Sequence, residues 1–210
     1  MRNFAQKLLI LPCSSAKTAN GIVMNESNDY FTHDANLQLR RNERMNYYNN
    51  LLNDRPSHFK TRLNYYQSAY NNNQYLRAID RYNGNLYHDE VRNALLLKIQ
   101  EGKLDLLIIS GLYGVLKYDD HIIDYHLEIS KGGLGMWNIN GINSVRNAVV
   151  NYIQIHHFNA NDVYYMLAGS YPTILNPINF TNNLNLWVAG AGDNRGRGNR
   201  DVLINFLNGI

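Results

Sequence analysis

At 210 residues, 45% hydrophobic and 18% charged, the chain has the make-up of one folded domain, long enough to bury a core and too apolar for a disordered tail. A single cysteine excludes an internal disulfide and any metal site built from cysteines, and no apolar run approaches the ~20 residues of a membrane span. The net charge of +3 is a mild lean toward anionic partners, which permits nucleic-acid binding without demonstrating it.

Arg2 and Lys7 precede a short apolar run, but that run leads straight into Pro12-Cys13-Ser14-Ser15-Ala16-Lys17-Thr18, so no signal peptide is expected and the protein is expected in the cytoplasm. Leu8 to Leu11 reads as a buried strand. The loop after it offers backbone amides, the hydroxyls of Ser14, Ser15 and Thr18, and the point charge of Lys17, which suits a phosphate or a planar polar ligand. Cys13, at the strand end beside Lys17, is either a reactive thiolate or a small buried hydrophobe. Asn20 to His33 lacks periodicity and reads as loop.

Ala35 to Leu52 spaces Leu37, Met45, Tyr48, Leu51 and Leu52 as one helical face, with Arg40, Arg41 and Arg44 on the others. After Pro56 a second helix is expected from Ser57 to Tyr70. Between Arg40 and Arg62 six Lys/Arg face two Asp/Glu, interleaved with tyrosines. That pattern fits either a nucleic-acid groove or a solvated helix face with rings packed beneath it. Glu90 to Ile99 reads as an amphipathic helix stopped near Gly102.

Leu104 to Ile109 is a second buried strand. It opens into Ser110 to Ile129, SGLYGVLKYDDHIIDYHLEI, where Gly111 and Gly114 break regular structure and Lys117, Asp119, Asp120, His121, Asp124, His126 and Glu128 crowd together. Alternation from Tyr125 to Ile129 predicts a strand with Tyr125, Leu127 and Ile129 inward and His126 and Glu128 outward. Further on, a helix over Ile142 to Ile155 and strands over Asp162 to Leu167 and Leu184 to Ala189 are expected. A flexible cationic loop, Gly190 to Asp201, then precedes a last helix, Val202 to Leu207.

The central stretch resembles the core motif of the YaaA family of peroxide-stress proteins. Ser110, Gly111, Leu112, Tyr113, Gly114, Leu116, Asp120, Tyr125, Leu127 and Glu128 fall in register, while Lys117 stands for Arg, Tyr118 for Pro and His126 for Arg. Ser14, Ala16, Lys17 and Thr18 match the family's opening loop, with Ser15 in place of its Pro. Tyr82, Gly84 and Tyr87 match a second motif, with Asn85 for its Asp, and Trp137, Ala168 to Pro172 and the late Arg-Gly segment have family counterparts. The Pro12-to-Lys17 segment is also similar, more distantly, to one in archaeosine synthases, which act on a deazaguanine base in tRNA. The resemblance implies an α/β fold: a single domain with a central mixed, partly parallel sheet flanked by helices. It also implies DNA binding in protection against oxidative stress, and a helix-hairpin-helix at Gly133-Leu134-Gly135 or in the arginine loop.

Loops at the carboxyl ends of parallel strands converge on one edge. Lys17, Ser110, Tyr113, Arg195 and Arg197 are therefore expected around one cleft, with Asp120 and Glu128 nearby. Ser14, Ser15, Thr18, Lys117 and Tyr125 are further candidate ligand contacts, and the Gly196-Arg197-Gly198 turn would offer free amides to a phosphate. Two functions follow. One is a binder of irregular or damaged nucleic acid, DNA rather than RNA, or of a nucleotide. The other is an enzyme acting on a nucleobase, with Lys17 as nucleophile or electrostatic anchor and Glu128 or Asp120 as acid/base. A monomer without cofactor is expected. The seven histidines are scattered, and Asp120, His121, His126 and Glu128 form no recognised ligand spacing, so no metal is expected.

Overall fold

The computed structural model describes residues 6–23, 29–54, 62–127, 139–167, 171, 182–184 and 195–210. Chain order is β1 (Lys7–Pro12), β2 (Ile22–Val23), α1 (Ala35–Asp54), α2 (Leu63–Asn71), β3 (Gln74–Arg77), α3 (Ala78–Arg81), α4 (Asp89–Gln100) and β4 (Leu104–Ser110). Then come β5 (Gly114–Lys117), β6 (His121–Ile123), α5 (Ile139–Ile155), β7 (Val163–Tyr165), β8 (Asn182–Asn183) and α6 (Arg195–Asn208).

The apolar runs make the main sheet, in the order β5-β4-β1-β7-β8. β1 lies parallel to β4 and to β7, β8 runs parallel to β7, and β5 turns back antiparallel on β4. Both faces of β1 and β4 are covered, as near-continuous apolar strands require. The pleat sends Leu9, Leu11, Leu106 and Ile108 into a core closed by Tyr48, Val91, Leu95, Leu203 and Leu207 from α1, α4 and α6. Leu8, Ile10, Leu107 and Ile109 point the other way, against Val145, Val149 and Tyr152 of α5. The fold is thus α/β, with a mixed sheet between helical layers. Among the described residues no helix is long and apolar enough to cross a membrane.

A second, antiparallel sheet, β2-β3-β6, was not legible in the pattern. The strand expected over Tyr125 to Ile129 lies earlier, at His121–Ile123, paired with β3, and 128–129 lie outside the described residues. Residues 124–127 lie outside the ladder, and the His126 amide donates to the Tyr48 hydroxyl at 3.1 Å. The expected alternation survives, with Tyr125 and Leu127 buried and His126 half-buried.

Three helix expectations are corrected. Arg41 and Arg44 do not sit on solvent faces of α1 but are 6% and 1% exposed. Arg41 is drawn inward by the Asp29 carboxylate and by the carbonyls of Tyr113 and Val115, and Arg44 donates to the Leu112 carbonyl. Both brace the glycine turn. Burial, followed by the neighbouring Arg41 charge, pushes the Arg44 guanidinium down to about 9. Gly114 completes the turn at φ +84°, where a Cβ would meet Val145 Cγ2 at 2.8 Å and Arg44 Nη1 at 2.9 Å. The second helix is Leu63–Asn71, with 55–61 outside the described residues. The last helix begins at Arg195, so Gly196-Arg197-Gly198 are its first turn and no loop; burial of Leu203 and Leu207 against α4 outweighs the weak helix propensity of glycine. The fourth strand is Asn182–Asn183, and 185–194 lie outside the described residues, as do Gly133-Leu134-Gly135 and Trp137.

Candidate functional site

The loop leaving β1 is held at several points. The Cys13 amide donates to the Ile109 carbonyl at 2.8 Å, Thr18 to Arg81 at 2.7 Å and Asn83 to Ala16 at 2.9 Å. Lys17 forms a β-bridge with Tyr82. Its ammonium donates to the Ser14 carbonyl at 2.9 Å and lies 4.2 Å from the ring centroid of Tyr125 and 5.6 Å from that of Tyr82. A cation so placed gains about 0.5–2 kcal/mol from the ring faces, enough to hold a half-buried lysine in one position.

Beneath it runs a chain of buried hydroxyls. Ser110 Oγ accepts the amides of Leu112 and Tyr113 at 3.3 and 3.0 Å, so its own proton goes to Tyr125, 2.8 Å away. Tyr125 in turn donates to Tyr82 at 2.8 Å. Burial first, then the nearby Cys13, pushes both phenols well above the usual range, so they stay protonated at neutral pH. Tyr87, also buried, donates to the Pro12 carbonyl at 2.7 Å and closes the base of the strand end.

A cleft of about 310 Å³ opens beside this assembly. Cys13, Ser14 and Ser15 form one wall, and Gly84, Asn85 and Tyr87 with Asn199 of α6 form the other. Gly84 is needed for its narrowness, since a Cβ there would meet Ser14 Oγ at 2.3 Å. Cys13 Sγ lies 3.0 Å from the Tyr171 hydroxyl, so the segment after β7 reaches the same edge. Segments of β1, β4, β7 and α6 therefore meet here.

The other expected residues distribute as follows. Tyr113 is buried and its hydroxyl accepts the Ile123 amide at 3.2 Å. Lys117 pairs with Leu107 while Gly114 pairs with Ser110, so Lys117 sits three residues, ~10 Å, down β4 from the edge. Its ammonium lies over the rings of Tyr30 and Tyr118 at 5.3 and 5.6 Å. Asp120 belongs to that lower region: 1% exposed, it accepts the amides of Tyr30 at 2.7 Å and Lys117 at 2.8 Å, and burial pushes its carboxyl up to about 7. The fold does not bring it beside Lys17. Glu128 lies outside the described residues. Arg195 and Arg197 have their backbones in the first turn of α6, two to four residues from Asn199, and their side chains are not among those described.

Several residues not singled out from the sequence shape this edge. Arg81, fully buried, donates to the carbonyls of Thr18, Asn20, Gln74 and Ile122 and pins the far end of the Lys17 loop. Asn20 adopts φ +62° there and donates its amide to the Tyr65 hydroxyl at 2.5 Å. The Arg62 guanidinium lies 4.8 and 5.3 Å from the ring centroids of Tyr65 and Tyr66, and Tyr66 stacks on His126. The tyrosine-interleaved basic run was the only sequence signal for this cluster. Among the described residues no group of three or more His, Cys, Asp or Glu is placed to hold a metal ion.

No curated protein matches the chain. The family model described as "Peroxide stress protein YaaA" matches residues 8–137, which take in the Lys17 loop, the Tyr82–Tyr87 motif and the whole of the central stretch but neither α5 nor α6. That match covers more than half of the sequence, and the chain accordingly belongs to the YaaA family of peroxide stress proteins.

Proposed function

We propose that this protein binds irregular or damaged DNA along the carboxyl edge of its main sheet, in the service of the peroxide stress response. One observation carries the reading. The 13–20 loop puts the Lys17 ammonium, fixed over Tyr125, at one end and the Arg62–Tyr65–Tyr66 cluster at the other, with the Ser14 and Ser15 hydroxyls and a cleft alongside. Cations at fixed positions meet phosphates, and rings capped by a guanidinium stack on bases splayed from a distorted duplex. Arg41 and Arg44 are buried and offer no charge to this surface.

The test is fluorescence anisotropy on single-stranded, mismatched and intact duplex DNA over a range of salt. Tighter binding to the first two, falling steeply with salt, is expected, and Lys17→Ala should flatten the salt slope by about one unit. Salt-independent binding, or none to any DNA, overturns the proposal.

A second reading, an enzyme acting on a nucleobase, is favoured by the hydroxyl chain Ser110–Tyr125–Tyr82 lying directly under Lys17. It would use Lys17 and Glu128. Asp120 has no part in it, being tied to two amides at the far end of β5. Lys17→Arg keeps the charge and discriminates: binding retained with loss of any product from base-modified DNA supports the enzyme, and an unchanged binding-only protein supports the first reading.

A further inference from the structure

The cleft between the β1 loop and α6 differs in character from the cationic surface around it. Among the described residues its walls carry no charged side chain, and Lys17 is not part of them; its ammonium donates to the Ser14 carbonyl at 2.9 Å. Asn199, on the α6 side, has its Oδ1 buried with no hydrogen bond made to it. An acceptor removed from water in this way is left short of a donor. Ser14 Oγ, on the facing wall, accepts the Ala16 amide at 3.2 Å and so has its own proton to give. Pro12 on one wall and Leu86 on the other add half-buried apolar surface.

These features select one part of a DNA strand. Phosphodiesters only accept hydrogen bonds, and the sugars inside the strand carry no hydroxyl, so the bases alone can give an N–H to Asn199. A base edge also sets ring nitrogens or carbonyls beside its N–H groups, which can take the Ser14 proton, and its flat faces suit Pro12 and Leu86. The size agrees: about 310 Å³ lies at the small end of ligand sites, ~300–1,000 Å³, with room for a single base. We propose that the cleft holds one DNA base rotated out of the duplex, its edge on Asn199 Oδ1 and Ser14 Oγ. Eversion costs least at a mismatch or a lesion. The pocket therefore supplies the preference for irregular DNA that cations cannot, since they meet phosphates of any sequence. The inference rests on the nucleic-acid reading above and adds the step by which a distorted site is recognised.

The experiment places 2-aminopurine, whose fluorescence rises when it leaves the stack, at a mismatch in a short duplex, and follows emission and anisotropy together. Binding of the wild-type protein should raise emission about fivefold over the free duplex. Gly84→Ala, whose Cβ would fall on Ser14 Oγ, and Asn199→Leu, which removes the acceptor, should each hold the rise to about 1.5-fold while affinity drops only about twofold. Wild-type binding with no rise, or a full rise in either variant, overturns the base pocket and leaves the nucleic-acid reading standing. If no DNA binds, the nucleic-acid reading falls, and NMR titration with adenine against inorganic phosphate decides on the cleft. Shifts of the Gly84 and Asn199 amides with adenine and none with phosphate support a site for a base, and any other result overturns it.

Discussion

The two ends of β4 carry different kinds of polar residue, to different effect. At the amino end, Asp105 accepts the Tyr152 hydroxyl at 2.5 Å and the Leu106 amide at 2.9 Å, and Asp120 on the adjoining turn accepts two further amides. There the oxygens are taken by the chain's own donors, and the carboxylates fasten the 3-10 helix Tyr30–His33 and helix α5 to the sheet. At the carboxyl end, Ser110 starts a hydroxyl chain that ends under a lysine, beside a cleft. Carboxylates thus fasten the sheet at one end, and hydroxyls and a lysine line the candidate site at the other.

The comparison is sharpened most by pH. Asp120 has its carboxyl raised from 3.8 to about 7 by burial, so its protonated form favours the folded state. Its contribution to stability is full below pH ~4, is lost as pH rises through about 7, and is level above that, a span on the order of 4 kcal/mol. Denaturant titrations between pH 4 and 8 should show the decline in the wild type. Asp120→Asn cannot titrate, so its profile should lack this component; a matching decline in the variant would assign the titration elsewhere.

Next in size is the turn joining the two ends. Gly114→Ala forces a Cβ onto Val145 and Arg44 at positive φ, and should cost about 3 kcal/mol, read as a lowered Tm. Substitution at the carboxyl edge should act on binding and leave folding alone. If the proposed DNA binding holds, Lys17→Ala is expected to weaken it about tenfold with Tm nearly unchanged, since the lysine is half-buried with its ammonium held over the Tyr125 ring. A large fall in Tm instead would make Lys17 a structural pin like Asp120. The smallest effect is expected from Gly84→Ala, which pushes the Ser14 hydroxyl aside and narrows the cleft; about a twofold loss of affinity, with stability held, is the outcome to look for.

Much of the frame was legible because it is written in local periodicity. Leu8–Leu11 and Leu104–Ile109 are short apolar runs, the second uncharged after Asp105, and became the central parallel pair; Glu90–Ile99 and Ile142–Ile155 carry helical spacing and became α4 and α5. The glycines of the central stretch announced the turn, and Lys17 was singled out mostly by the family resemblance of its loop. The three-stranded sheet was hidden because β2 and β6 are two and three residues long, below what a pattern resolves. The inward turn of Arg41 and Arg44 was hidden because their acceptors, among them the carbonyls of Leu112, Tyr113 and Val115, lie about 70 residues on in the chain.

By itself the order of residues determined the layers, the strand ends and the loop that carries Lys17, since each depends on side chains within a few positions of one another. Only the tertiary structure decided which charges are tied down: Asp120 closed on two amides, Arg81 occupied by carbonyls, Asp124 buried beneath Arg62. The physical reason is that a polar group's role depends on its partners and its access to water, and both are set by contacts between segments far apart in the chain.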